Sequence, residues 1–249
     1  MLAAAIAAAF SIAAPSFAQT CTGTPLAYPV AKKVDQTDNY FGTTIADPYR
    51  WLEDANSEET HAWVEAENKL TRSYLSQIPQ RDAIRQRLSQ LWNYERYSVP
   101  VKEGGRYFYS RNDGLQNQAV LYTMDSLNAK PRLLLDPNTL AADGTVALAG
   151  TAVSPDGKLL AYSTAASGSD WNEIQVRDIA TGKDLPDRIK WVKFSNTAWT
   201  HDGKGFFYSR YDEPKEATKL ADVNYFQKLY YHRIGTEQSA DVLVYDRPD

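Results

Sequence analysis

The sequence predicts a mainly β chain: an incomplete β-propeller of about three four-stranded blades, preceded by an α-helical N-terminal extension. Three observations carry that expectation. A phrase returns three times at a spacing of about 50 residues, the length of a propeller blade. Its copies are Gly105-Arg-Tyr-Phe-Tyr-Ser110, Asp156-Gly-Lys-Leu-Leu-Ala-Tyr-Ser163 and Asp202-Gly-Lys-Gly-Phe-Phe-Tyr-Ser209. Each is a glycine turn leading into alternating aromatic and aliphatic residues, as a hairpin leads into a half-buried strand. The hydrophobic period also changes near Ser98, from helical spacing to two-residue alternation. Finally, aromatic residues make up 12% of the chain, with 16 Tyr and 6 Trp, which suits pleated surfaces.

The bulk properties bound the function. A chain of 249 residues with 43% hydrophobic content can bury a sizeable core. The net charge is −4 and no Lys/Arg block occurs, so nucleic acid is excluded as an expected partner.

Residues 1–18 read as a signal peptide. Ala, Ile, Leu and Phe run from Met1 to Ala14 with only Ser11 interrupting, and Ser16 and Ala18 supply the small residues a signal peptidase needs. The run is too short to span a bilayer, so a periplasmic or secreted protein without a membrane anchor is expected. The basic segment that opens such signals is missing, which points to a start site further upstream. Cys21 is the single cysteine, so no internal disulfide can form.

Residues 19–98 form the helical extension. Residues 28–47 are polar and turn-rich. Beyond Asp47-Pro-Tyr-Arg-Trp-Leu-Glu-Asp54, the residues Trp63, Ala66, Leu70 and Tyr74 fall at helical spacing, with Asp54 or Ser57 as N-cap. Pro79 is expected to open a second helix, with Asp82 at its positive end and Ile84, Leu88 and Leu91 on one face. Two such stripes need cover from another domain.

Residues 99–249 hold the blades. Strands are expected at 107–111, 119–124 and 132–135, then at 159–163 and 173–178, then at 205–210, 227–233 and 242–245. A lead-in strand at 145–154 or 190–200 completes the four-stranded pattern. Three blades do not close a ring, so the chain is expected to be the N-terminal part of a longer protein.

Reaction chemistry is sparse. No Gly-x-Ser-x-Gly elbow occurs, and His61, His201 and His232 are scattered through a helix, a turn and a strand. No His or Cys pair has metal-ligand spacing and no glycine loop could cradle a phosphate, so no catalytic residue, metal or cofactor is expected.

The Asp47–Asp54 motif, followed by two helices, resembles the N-terminal region of prolyl oligopeptidases, serine peptidases of the α/β-hydrolase class. The resemblance extends through Ala166-Ser-Gly-Ser-Asp-Trp171, Val192-Lys-Phe-Ser195, Ala198-Trp-Thr-His-Asp-Gly-Lys-Gly205 and Gln227-Lys-Leu-Tyr-Tyr-His-Arg-Ile-Gly-Thr236. Arg50 and the last of these runs favour the prolyl branch over oligopeptidase B. The resemblance implies a seven-bladed propeller over a hydrolase domain, on which the two helices would pack. It also implies a substrate class, short proline-containing peptides cut after proline, with folded proteins kept out by the propeller. The serine, aspartate and histidine of the triad belong to the family's C-terminal half, so none is carried over here. Phe194 matches a propeller aromatic lining the substrate cavity, where it would contribute apolar area; a phenylalanine in a strand equally suits a core. Asp170 and Trp171 match a segment near that cavity. At Ala149 the family pattern leads one to expect a basic residue, so an interdomain charge contact would be lost. Two other functions fit the same residues: a secreted, non-catalytic binding propeller, and a related oligopeptidase of different specificity.

Overall fold

The computed structural model describes residues 26–215 and 223–247. The expected signal peptide and Cys21 lie outside the described residues. The chain divides into two compact units, Met1–Tyr74 and Leu75–Asp249.

In the first unit, β1 (Thr37–Tyr40) and β2 (Thr43–Ala46) pair antiparallel in register Tyr40↔Thr43. This adds a hairpin to the stretch 28–47, read from sequence as polar and turn-rich. Seven of the eight strand residues are exposed, so no buried face imposes the alternation that marks a strand. The tip residues Phe41 and Gly42 take φ of 54° and 93°, a left-handed pair that suits a two-residue hairpin. The acidic-aromatic motif then folds on itself. Arg50 Nε donates to Asp47 Oδ2 at 2.6 Å and its Nη2 to Asp38, while the Trp51 indole donates to the Lys32 carbonyl at 2.8 Å. Trp51 meets Trp63 edge-on at 6.5 Å. Helix α1 (Glu58–Ser76) starts at Ser57, whose Oγ accepts the Thr60 N–H at 3.2 Å; the cap is therefore Ser57 and not Asp54.

The second unit opens with α2 (Arg81–Trp92). Pro79 does not start this helix. The first helical bond is donated by Ile84 to the Gln80 carbonyl, and Pro79 belongs to the preceding turn. Ile84, Leu88 and Leu91 are 54%, 54% and 51% exposed, so their stripe is uncovered among the described residues.

Three antiparallel meanders follow. The first comprises β3 (Arg96–Tyr97), β4 (Val101–Glu103), β5 (Arg106–Asn112), β6 (Val120–Met124) and β7 (Arg132–Leu135), with β3 and β4 both pairing β5. The second comprises β8 (Val146–Val153), β9 (Leu159–Ala166), β10 (Asn172–Asp178) and β11 (Asp184–Val192). The third comprises β12 (Ala198–Trp199), β13 (Gly205–Arg210), β14 (Lys228–Arg233) and β15 (Val242–Tyr245). In this unit the β content thus begins two residues before Ser98. A lead-in strand over 190–200 is also corrected: residues 190–192 end β11, and only Ala198–Trp199 enters the third sheet. The chain cannot run straight between them, because Trp191 and Phe194 hold left-handed backbone at φ 63° and 50°.

Alternation on β9 explains how the sheets stack. Leu160 and Tyr162 point into a core shared with Phe108, Leu121, Leu134 and Leu135 of the first sheet. Ala161, between them, joins Ile174, Val176, Ile189 and Val192 against Phe206 and Tyr208 of the third. Polar bonds cross the same joints: Arg177 Nη1 reaches the Leu134 carbonyl at 2.9 Å, and Trp199 Nε1 the Ala152 carbonyl at 3.0 Å. The hairpin turns nearly touch as well. Gly157, at φ 70°, lies so near Gly104 that a Cβ would stand 2.3 Å from the Gly104 oxygen.

A polar knot ties the third sheet to the second. His232 donates from Nε2 to Asp187 Oδ1 at 2.9 Å and from Nδ1 to Asp241 Oδ1 at 2.6 Å, and all three side chains are sealed from solvent. Both partners are acceptors, so the ring is a doubly protonated imidazolium. Burial alone would lower its pKa; the bonds and charges of the two aspartates outweigh burial and raise it to about 9. The Gly235 N–H adds a 2.6 Å bond to Asp187, and the Tyr208 hydroxyl a 2.5 Å bond to Asp241. A raised folded pKa stabilises the protein fully below the unfolded value of 6.5 and ceases to do so as pH climbs through about 9. Urea unfolding at pH 6.5 and pH 9.5 should therefore show a loss on the order of 3 kcal/mol. That loss should vanish in His232→Gln; an equal loss in the variant would assign it to other groups.

Candidate functional site

The site is built where the second sheet's regular pairing ends. On β8 the register slips between Leu148 and Gly150, which leaves Ala149 exposed in a bulge. On the far side of β9, residues 167–171 make a tight connection to β10. There Ser167 and Gly168 are left-handed at φ 52° and 75°, and the Trp171 N–H bonds Ser169 Oγ at 3.1 Å. The turn after β11 supplies Phe194, Ser195 and Asn196. Together these segments enclose a concavity of about 340 Å³ lined by Ala149, Ser163, Asp170, Asn172, Phe194 and Ser195, among others.

Of the residues singled out from sequence, Phe194 and Asp170 meet in this concavity. Phe194 does not sit in a strand or in the core: it is 66% exposed, in a turn. Asp170 is also exposed and lines the same concavity. Trp171 faces away from the concavity. It stands edge-on to Trp191 at 5.9 Å and to Tyr211 at 6.2 Å, and lines two neighbouring hollows of about 550 Å³ and 420 Å³. Ala149 lies on the rim and presents no charge.

Strain concentrates here. The described non-glycine residues with left-handed backbone are Phe41, Ser167, Trp191, Phe194 and Phe226. Ser167 and Phe194 belong to the segments that enclose the concavity, Trp191 packs on Trp171, and Phe226 lines the 420 Å³ hollow that Trp171 shares. Each such residue costs about 1–2 kcal/mol, and strain of this kind gathers at ligand sites. Sequence reasoning missed Trp191 and the strain itself, because backbone dihedrals of aromatic residues leave no periodic signal.

Both ring nitrogens of His232 are engaged by carboxylates, so it cannot act as base to a serine. His61 and His201 are exposed. Among the described residues no three His, Cys, Asp or Glu side chains are placed to hold a metal ion. What the arrangement can do is offer an exposed aromatic face and a carboxylate to a ligand from outside.

Known proteins share this arrangement of sheets. A family model for the prolyl oligopeptidase N-terminal beta-propeller domain matches residues 28–249. The prolyl endopeptidase of Elizabethkingia meningoseptica is 47% identical over 237 residues, 95% of this chain and 33% of that protein. The prolyl endopeptidase of Dictyostelium discoideum is 31% identical, over 89% of this chain and 36% of its own length. Among solved structures, one from a study of two prolyl endopeptidases and their inter-domain dynamics superposes with a TM-score of 0.79. It is 34% identical and covers 89% of this chain and 33% of the other. A Galerina marginata prolyl oligopeptidase B bound to a 35mer substrate gives 0.74 at 32% identity, covering 91% and 34%. The chain thus spans about a third of the length of these relatives.

Because the Phe194 ring is mostly exposed, relieving its backbone should outweigh its lost packing. Phe194→Asn, a residue that tolerates left-handed backbone, should raise stability by about 1 kcal/mol in thermal or urea unfolding. A clear drop would mean that the ring is a core residue after all.

Proposed function

The chain belongs to the prolyl oligopeptidase family, and from that membership we propose that it is the substrate-screening part of an exported serine endopeptidase that cleaves short peptides after proline. The observation that carries the reading is the exposed Phe194 ring, held in strained backbone on the wall of a concavity that also contains Asp170. Phe194 would cover the residue preceding the substrate proline, contributing apolar burial without taking part in bond making. Asp170 would favour a cationic group on the same peptide, or on a facing domain. Trp171 would support the wall from behind rather than touch substrate.

In this reading the reaction belongs to residues outside these 249. A serine would attack the peptide carbonyl with histidine as base, and backbone donors would hold the oxyanion. They would sit in an α/β-hydrolase domain, and the uncovered stripe of Ile84, Leu88 and Leu91 is suited to packing on one. The propeller sheets would admit flexible peptides and turn folded proteins away. Export is supported by the apolar run of residues 1–14 and the small residues before Gln19.

Two measurements test this. In the whole enzyme, Phe194→Ala should raise KM for a proline-containing chromogenic peptide roughly tenfold with kcat nearly unchanged, as loss of uniform binding requires. The 249 residues alone should give no turnover. An unchanged KM would remove Phe194 from the substrate site, and inhibitor-sensitive turnover by the chain alone would overturn the division of labour. N-terminal sequencing of the exported protein should begin at Gln19; a mature protein that retains residues 1–18 would refute the cleavage.

A further inference from the structure

The turn that presents Phe194 is fastened by its preceding residue in an unusual way. Lys193 is a buried lysine, only 8% exposed. Its Nζ lies 4.1 Å from the centre of the Trp171 ring and 3.2 Å from Asn224 Oδ1. Among the described residues no carboxylate pairs with it. Taking an ammonium out of water is costly, so its placement here calls for a physical reason. An indole face is the best aromatic partner for such a cation.

The geometry around Lys193 supplies the reason. Its carbonyl accepts a 2.8 Å bond from Gln227 Nε2. On the other side of Phe194, Ser195 Oγ accepts the Ser209 N–H at 2.7 Å. Two residues upstream, the Trp191 carbonyl accepts the Tyr211 N–H at 3.0 Å, while the Trp191 ring packs on Trp171. Phe194 itself has little packing to hold its left-handed backbone, so the restraint comes from its neighbours. Trp171 links the two parts of the site, because its own backbone belongs to the 167–171 connection that carries Asp170.

We infer that Lys193 is a positioning residue. Its ammonium, seated on Trp171 and bonded to Asn224, locks the 191–195 turn so that the Phe194 ring faces the concavity at a fixed distance from Asp170. The inference rests on the proposed peptide-binding role of Phe194, yet the lock itself can be tested without it. Lys193 acts through Phe194 and touches no reacting atom.

The experiment compares Lys193→Met, which keeps the stem and removes the charge, with Lys193→Arg, which keeps a cation for the indole face. In the whole enzyme, Lys193→Met should raise KM several-fold for peptides with a bulky apolar residue before proline, with kcat within twofold. Lys193→Arg should restore most of the affinity. On a Phe194→Ala background, Lys193→Met should add nothing further. A second readout needs no peptidase activity: chymotrypsin should cut native Lys193→Met after Phe194 several times faster than wild type, and Lys193→Arg at nearly the wild-type rate. If the enzyme proves inactive on proline peptides, the functional reading fails while the cleavage rates still decide the lock. Unchanged cleavage with unchanged KM overturns the inference, as does a KM effect that persists in full without Phe194.

Discussion

The second sheet packs a core against each of its two faces, and the stacking of the three meanders follows from that constraint. An antiparallel sheet ordinarily turns one side to solvent. Here β9 must satisfy two cores at once, with Leu160 and Tyr162 on one side and Ala161 on the other. The tight turn where Gly157 meets Gly104 is a by-product of the same closeness, since backbone can approach backbone only where a Cβ is missing.

Both edges of the second sheet are irregular. The slip at Ala149 on β8 opens the concavity. On β11 the pairing slips opposite Gln175 and Arg177, around Pro186, and there Asp187 is turned inward to meet His232. One bulge exposes a site and the other buries an ion pair. The two irregular edges thus differ in outcome: the β8 slip borders the concavity, and the β11 slip buries the His232–Asp187 pair.

This division also decides what could be read from the sequence. Strands such as 132–135, 205–210 and 242–245 were legible because they open or close a repeated hairpin pattern. The β1–β2 hairpin was hidden because an exposed strand has no face to bias its composition. Most of the fourth strand of the second sheet was left out because Pro186 breaks its pattern, and its end was given to a lead-in strand because Trp191 and Val192 resemble the start of one. His232 looked like an ordinary strand residue; its partners lie 45 and 9 positions away, and spacing carries no trace of them. Phe194 and Asp170 emerged from resemblance to a family rather than from pattern, and only three-dimensional placement separates them from Trp171 behind the wall.

The side-chain bonds that join one sheet to the next share a separation. Arg177 to Leu134 spans 43 residues, His232 to Asp187 45, Trp199 to Ala152 47, and Gln238 to Lys190 48. Within each sheet, by contrast, partners are consecutive strands, save that β3 reaches past β4 to pair β5. A chain wired this way can assemble in the order in which it emerges from a ribosome or a translocation pore. Each meander zips by itself, then docks on a neighbour completed some fifty residues earlier, and the entropy of closing that loop does not grow as more sheets are added. Among the described sheets, assembly can keep pace with emergence because each docks on the one made just before it.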